Sequence, residues 1–154
     1  MTSGIVVRDA TANDLERLLE LYVHLTPNNR PIGLDKAEQI FGAFLRYEGS
    51  AILLGESEGV LVSSCTLAVI PNLTRIGRPY ALVENVVTHE AYRRRGYGKA
   101  MLDAASEKAW AQDCYKVMLM TGNSDEATLK FYEHAGFEQS KTGFQKRRAA
   151  EARK

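Results

Sequence analysis

Residues 93–99 combine basic side chains and glycines in a way that is typical of a phosphate-binding loop. They lie between a Val-rich segment and a stretch of helical periodicity. Glycine has no Cβ to keep a phosphate from the backbone, and the first N–H groups of a helix lack intrahelical partners at the positive end of its dipole. The residues are Arg93, Arg94, Arg95, Gly96, Tyr97, Gly98 and Lys99.

Two other phosphate-binding motifs do not fit this segment. The P-loop requires Ser or Thr after its lysine, and Ala100 follows Lys99 here. The dinucleotide fingerprint requires a third glycine, and Met101 occupies that position. A basic turn that only caps the helix is the remaining alternative.

The surrounding elements have the order β, α, α, β, β, β, α, β, α, β. Leucines at helical spacing follow Thr11 and Asp14, which resemble a capping box, and a second helical pattern begins near Asp35. Strands are predicted at 51–54, from Val60 to Ile70, at 80–88 and at 117–120, and a helix at 125–134. A last strand region begins at Phe137, and the basic segment 141–154 is predicted as an edge strand with a frayed tail.

This order predicts an α/β fold with a mixed, mostly antiparallel sheet and helices on both faces. The chain of 154 residues is long enough for one domain, which we expect over residues 1–154 with its core at about 5–145 and a basic C-terminal tail. A formal net charge of +1 gives no reason to expect a nucleic acid or a membrane as partner. Without a signal peptide or a long apolar run, the cytoplasm is the expected location.

The two cysteines, Cys65 and Cys114, are too few for a disulfide scaffold and lack zinc-site spacing. We expect free, buried thiols and no metal. Cys65 could in principle act as a nucleophile, but nothing nearby in the sequence would lower the pKa of its thiol.

Two motifs together resemble the GNAT family of N-acetyltransferases. Arg93-x-x-Gly96-x-Gly98 matches the family's Arg/Gln-x-x-Gly-x-Gly/Ala signature, and Phe131-Tyr132 followed by Gly136-Phe137 is similar to its second conserved block. The resemblance covers about residues 5–145. It implies direct transfer of an acetyl group from acetyl-coenzyme A (acetyl-CoA) to an amine.

The resemblance also implies roles for individual residues. The cofactor's pantetheine would lie along the backbone of Val86, Val87 and Thr88, and its diphosphate on 94–99. Tyr132 would protonate the departing thiolate; the alternative is a tyrosine that only packs beside Phe131. The asparagine that relatives carry in the last helix is missing, and Asn123 could replace it, whereas Ser124 or Asp125 could be only the N-cap.

Glu84 is the best candidate for the general base, because it is the lone acid within the apolar strand 81–87. Partial desolvation there would raise its pKa. A solvent-facing glutamate paired with an arginine is the alternative reading, and His89 is the alternative base.

The acceptor is expected to be a small-molecule or peptide amine that enters opposite the cofactor. The resemblance implies that the segments 26–33 and 71–79 and the C-terminal strand region form its walls, and Arg30, Arg75 and Arg78 there suggest a phosphate or carboxylate on the acceptor. A partial likeness to glucosamine-phosphate N-acetyltransferases, a subgroup that commonly dimerises, points the same way. The alternative function is a non-catalytic acyl-CoA sensor or scaffold with the same fold.

Overall fold

The computed structural model describes residues 4–28 and 30–148. The chain divides into two compact units, Met1–Leu119 and Met120–Lys154. None of the helices in the described residues is long and apolar enough to cross a membrane.

The first unit contains a five-stranded sheet in the order β1-β2-β3-β4-β5. Neighbouring strands are antiparallel except β4 and β5, which are parallel. This confirms the predicted mixed, mostly antiparallel sheet. The elements are β1 (Val6–Asp9), α1 (Leu15–Tyr22), α2 (Leu34–Leu45), β2 (Ala51–Ser57), β3 (Val60–Ile70), β4 (Tyr80–Thr88), α3 (Tyr97–Ala111) and β5 (Val117–Met118).

The start of α1 is held by the predicted pair of Thr11 and Asp14. The Asp14 carboxylate accepts from the backbone N–H of Thr11 at 2.8 Å. It also binds the Arg8 guanidinium through two bonds of 2.7 and 2.8 Å. Arg8 in turn donates to Glu56 of β2 at 2.7 Å. The Arg8 bonds hold the pKa of the buried Asp14 carboxyl well below its usual range. Because Arg8 of β1 binds both Asp14 and Glu56, it connects β1 and β2 to the start of the first helix.

Helices cover both faces of the sheet. On one face, Leu18 of α1 and Phe41 of α2 belong to a buried cluster with Leu54 of β2 and Val87 of β4. On the other face, α3 packs so closely that the thiol of Cys65 lies 3.8 Å from the carbonyl oxygen of Met101. The sheet is therefore buried on both sides, as the sequence predicts.

The second unit contains α4 (Glu126–His134), which begins at its N-cap Asp125. The Asp125 carboxylate accepts from the N–H of Thr128 at 2.7 Å, so Asp125, not Ser124, is the cap.

The strand predicted from Phe137 onward is wrong for the described residues, since 137–148 form no strand. Thr142 is the one β-branched residue in that stretch. Phe144, the aromatic residue that would have to be buried, is exposed (91%). The remainder of the predicted edge strand, 149–154, lies outside the described residues.

Candidate active site

A β-bulge interrupts the pairing of β3 with β4. Ser64 pairs with Val87 and Thr66 pairs with Glu84, so Asn85 and Val86 together oppose the single residue Cys65. Asn85 adopts a positive φ of 50°, a conformation that asparagine tolerates better than most residues. A bulge bends its strand and redirects the groups beside it, and such bulges are common next to active sites.

The hydrogen bonds around the bulge show which way the backbone of β4 faces. The carbonyl of Val87 accepts from the Ser63 hydroxyl at 2.8 Å, and the N–H of His89 donates to the Val62 carbonyl at 2.8 Å. Both groups face β3. Because backbone groups alternate along a strand, those of Val86 and Thr88 face away from β3.

The outer edge of β4 is available over this stretch. Pairing with β5 is limited to Ala81 with Val117 and Leu82 with Met118. Beyond Leu82 no other strand among the described residues pairs with that edge. An extended chain with amide groups could therefore hydrogen-bond there to the backbone of Val86, as a ligand does when it adds to a sheet edge.

The glycine loop leads directly to the amino terminus of α3. Gly96 is the N-cap residue and has a φ of 80°, which favours glycine. The preceding Arg94 also has a positive φ of 64°. No acidic residue lies in the first turn of α3, whose free N–H groups are therefore not faced by a carboxylate of that turn. This end of the helix fits an anion.

The basic side chains of the loop have different surroundings. Arg93 donates to the backbone carbonyls of Thr88 at 3.1 Å and His24 at 3.2 Å. Arg95 donates to the carbonyl of Ala91 at 3.3 Å. Both are thus engaged with the backbone of the first unit. Arg93 consequently closes the turn between β4 and α3, a contribution that its place in the motif does not reveal.

The remaining side chains of the loop also differ in burial and in their partners. Lys99 pairs with Asp103 at 2.7 Å on the exposed side of α3. Tyr97 is buried, and its hydroxyl lies 3.2 Å from that of Ser57, so only its backbone can face a ligand. The Arg94 side chain is exposed and makes no hydrogen bond or ion pair within the described part of the chain, which leaves it free to bind a phosphate.

Glu84 is exposed, so the expected desolvation of this carboxylate is wrong. Its place in β4 explains the difference: Ala81 and Val83 point to the buried face of the strand, and Glu84, which pairs with Thr66, points to the opposite face, where it is exposed. His89 is half-buried and its Nδ1 accepts from the N–H of Ala91 at 3.1 Å, which makes it the cap of a short 3₁₀ turn, Glu90–Tyr92.

In the second unit, Tyr132 lies on α4 between two aromatic rings. Its ring meets those of Phe131 and Phe137 edge-on, with centroids 5.0 and 6.5 Å apart. Burial raises the pKa of the Tyr132 phenol, which keeps it protonated at neutral pH.

Asn123 precedes α4, where its side-chain oxygen accepts from the N–H of Asp125 at 3.0 Å. This bond supports the N-cap and uses the side-chain acceptor. The contact of Asn123 with a cofactor stays a prediction, as do the catalytic roles of Glu84 and Tyr132.

The sequence matches the Acetyltransferase (GNAT) family over residues 15–137. The chain belongs to this family. It is therefore an acetyl-CoA-dependent N-acetyltransferase, and the GNAT fold expected from its two motifs is confirmed.

Two relatives support the assignment. Glucosamine 6-phosphate N-acetyltransferase of Trypanosoma brucei brucei is 35% identical over 127 residues, which are 81% of this chain and 83% of that protein. A putative acetyltransferase from Agrobacterium tumefaciens str. C58 is 47% identical, with a TM-score of 0.89 over 93% of this chain and 99% of the other. A glucosamine-6-phosphate N-acetyltransferase from Arabidopsis thaliana, 20% identical with a TM-score of 0.82 over 93% and 97% of the two chains, shows the same fold.

The cysteines of this GNAT protein are free and buried, as expected. Burial raises the pKa of the Cys65 thiol to about 12, so its thiolate is scarce at neutral pH. Burial also raises the pKa of Cys114. An acyl-enzyme at Cys65 is therefore disfavoured. No cluster of three or more metal-ligating side chains occurs within the residues that the structure describes.

The predicted acceptor loop, 71–79, adjoins an open groove of about 450 Å³. Pro71, Asn72 and Pro79 line this groove, and so does Gln112, just beyond the carboxyl end of α3. The groove thus lies at the opposite end of α3 from the glycine loop.

The arginines of the acceptor walls are near the surface. Arg78 pairs with Asp113 at 3.1 Å. Arg75 lies over the ring of Tyr115, 5.3 Å from its centroid. Arg30 is exposed.

Proposed function

We propose that this GNAT enzyme acetylates the primary amine of a small phosphorylated amino sugar. The observation that carries the proposal is the relative from Trypanosoma brucei brucei, named for glucosamine 6-phosphate and similar over most of both chains. The loop 71–79 supports it, because it lines a groove of about 450 Å³, large enough for a sugar, and carries two basic residues, Arg75 and Arg78.

The cofactor side of the proposal rests on β4 and the glycine loop. The outward-facing backbone of Val86 is suited to the amides of pantetheine, and the N–H groups at the start of α3, with Arg94, are suited to the diphosphate. Acetyl-CoA supplies the activated acetyl group as a thioester. The N–H of Val86 is also the donor that we assign to the thioester oxygen, where negative charge develops during attack.

Glu84 and Tyr132 would move the protons. The exposed carboxylate of Glu84 can be reached by an acceptor, and it would take the proton that the ammonium group must lose before attack. A phenol is protonated at neutral pH, and that of Tyr132 can give its proton to the sulfur when the C–S bond breaks. The assignment of Tyr132 depends on its match to the second family motif and on this chemistry.

The direct test measures release of free thiol from acetyl-CoA with glucosamine 6-phosphate, with unphosphorylated glucosamine and with a peptide amine. We expect the phosphorylated sugar to give the highest kcat/KM. Arg75→Ala should lower kcat/KM for the phosphorylated sugar alone, because a lost charge-assisted bond costs about 1.5–3 kcal/mol, or tenfold or more. Faster turnover of the peptide amine would refute the proposed acceptor but not the enzyme class.

The proposed proton transfers are tested by Glu84→Gln and Tyr132→Phe. Each should lower kcat by roughly a hundredfold, the ordinary contribution of a general base or acid, with little change in the dissociation constant for acetyl-CoA. Glu133→Gln and Tyr47→Phe, at exposed positions, are matched controls that should keep the wild-type rate. If Glu84→Gln retains the full rate, another base, such as His89, takes the proton.

The homodimer implied by the likeness to glucosamine-phosphate N-acetyltransferases is also part of the proposal. In the loop 71–79, the side chains of Leu73 and Ile76 are fully exposed. Exposed apolar side chains of this kind are typical of contact surfaces. Light scattering coupled to size exclusion should give twice the monomer mass, and a monomer at all concentrations would contradict a dimer.

A further inference from the structure

His24, a residue just beyond α1, makes three contacts with the connection between β4 and α3. Its backbone carbonyl accepts from the Arg93 guanidinium at 3.2 Å. Its imidazole Nδ1 accepts from the N–H of Glu90 at 3.4 Å. Its ring also stacks on that of His89, with centroids 3.9 Å apart and planes tilted by 39°. One residue outside the glycine loop thus contacts the segment that leads into it at three places.

His89 connects the same segment to β3, and we call the linked contacts of His24 and His89 the histidine brace. Its own N–H is bonded to β3, and its Nδ1 accepts from the N–H of Ala91 at 3.1 Å. The ring of Tyr92 meets it edge-on at 5.3 Å, and Arg95 lies over the Tyr92 ring at 5.0 Å. The contacts therefore run without interruption from α1 to the residue before Gly96.

Both imidazoles act as acceptors at Nδ1, and this is compatible only with a neutral ring that carries its proton on Nε2. Protonation would place a hydrogen on Nδ1 and turn each bond to a backbone N–H into a contact of two donors. Two stacked imidazolium rings would also repel each other. Histidine takes up its proton between about pH 8 and pH 5, so a moderate fall in pH acts on this brace.

The charges around the pair are mixed. Arg93 bonds to His24 and opposes protonation, as does Arg17, which lines the same groove of about 380 Å³ but is paired with Glu56. Glu20, also in the groove, favours it, and Glu90 contributes its backbone N–H to His24. The consequence of protonation on which the inference rests is the loss of the two Nδ1 acceptors.

We propose that His24 is a positioning residue for the cofactor loop, and that it acts only while the His24–His89 pair is neutral. The inference rests on the proposed role of residues 94–99 in binding the diphosphate. Its consequence is that affinity for the diphosphate part of coenzyme A decreases as the pair becomes protonated, although neither histidine contacts the ligand.

The test uses 3′-dephospho-coenzyme A, because the 3′-phosphate monoester of the full cofactor itself titrates near pH 6. Its dissociation constant is measured by titration calorimetry between about pH 8 and about pH 5.5. For the wild type we expect a weakening of roughly fivefold or more towards acid, which corresponds to the loss of one hydrogen bond. His24→Asn keeps an acceptor oxygen near the position of Nδ1 but does not titrate, so its affinity should change much less with pH.

Two further variants separate the explanations. At about pH 8, His24→Ala should bind roughly fivefold more weakly than the wild type, and it should lose little more affinity towards acid, with kcat at saturating cofactor preserved. His134→Asn replaces the third histidine of the chain and should keep the wild-type pH profile. Melting temperatures of all variants establish that each is folded at each pH.

A wild-type affinity that does not change with pH would overturn the inference, as would a His24→Asn profile that follows the wild type. Gly96→Ala distinguishes a failure of the role proposed for His24 from a failure of the proposed cofactor site. If Gly96→Ala binds as tightly as the wild type, the loop does not hold the diphosphate and the proposed cofactor site is wrong. If Gly96→Ala weakens binding while His24→Asn keeps the wild-type slope, only the role of His24 is wrong.

Discussion

Replacing Gly96 with alanine tests whether the amino terminus of α3 holds the diphosphate of coenzyme A. Gly96 has a φ of 80°, a conformation that costs a residue with a Cβ about 1–2 kcal/mol. A Cβ built there meets no neighbouring atom within 4 Å, so alanine adds backbone strain but no clash in the free protein. In the complex, the same methyl group would occupy the space through which a phosphate approaches the N–H groups of α3.

Gly59, in the turn between β2 and β3, provides a matched control. Its φ is 79°, and a Cβ there also meets nothing within 4 Å. Gly59→Ala and Gly96→Ala should therefore lower the free energy of unfolding equally, by about 1 kcal/mol, and Tm by about 3 °C each. Any difference in cofactor binding between the two variants then results from the position of the methyl group relative to the ligand and not from backbone strain.

The expected difference is large. Loss of one charge-assisted hydrogen bond to a phosphate costs about 1.5–3 kcal/mol, so Gly96→Ala should weaken coenzyme A binding by about tenfold to a hundredfold. Gly59→Ala should bind as the wild type does. Titration calorimetry measures both constants. Equal affinities in the two variants would refute the assignment of the loop, since the methyl group at position 96 could not then be close to the ligand.

Two other substitutions test the framework around the site. Asp14→Asn should cost about 3 kcal/mol by chemical denaturation at neutral pH, because it leaves the Arg8 guanidinium without its bidentate partner. Asp14 has a lowered pKa in the folded protein, so its stabilisation is present above the unfolded pKa near 4 and is lost as pH falls further; the variant should lack this part of the acid dependence. Cys65, with a pKa of about 12, should resist alkylation at neutral pH until the protein is unfolded, and rapid labelling of the native protein would contradict its burial.

The path from β4 through the glycine loop to α3 could be predicted because its signals are local. Valines at 86 and 87 favour a strand, and the glycines mark the turn at which the helix begins. The turn between β2 and β3 is local too: Glu58 and Gly59 both have positive φ, as a two-residue hairpin requires.

Other features depend on partners that are far apart in the chain. The bulge at Asn85 exists only relative to the register of β3; its one local signal is an asparagine within an apolar strand. The position of Arg93 in the motif predicts a contact with a ligand. In the structure it instead binds the carbonyl of a residue 69 positions away in sequence, which the motif cannot reveal. The exposure of Glu84 depends on which face of β4 the helices cover, and the apolar run around it in the sequence does not reveal this.

One extra residue in β4 changes both the packing of this strand and its backbone edge. Val83 lies opposite Leu67, on the face that α3 covers, and an unbroken strand would place Val87 on that same face. The bulge instead turns Val87 into the cluster with α1 and places Thr88 beside Ser63, with their hydroxyls 2.9 Å apart. The same shift turns the backbone groups of Val86 towards the free edge. Burial of Val87 among the helix side chains therefore stabilises the strand geometry that turns the N–H of Val86, the donor that we propose for the thioester, towards the free edge.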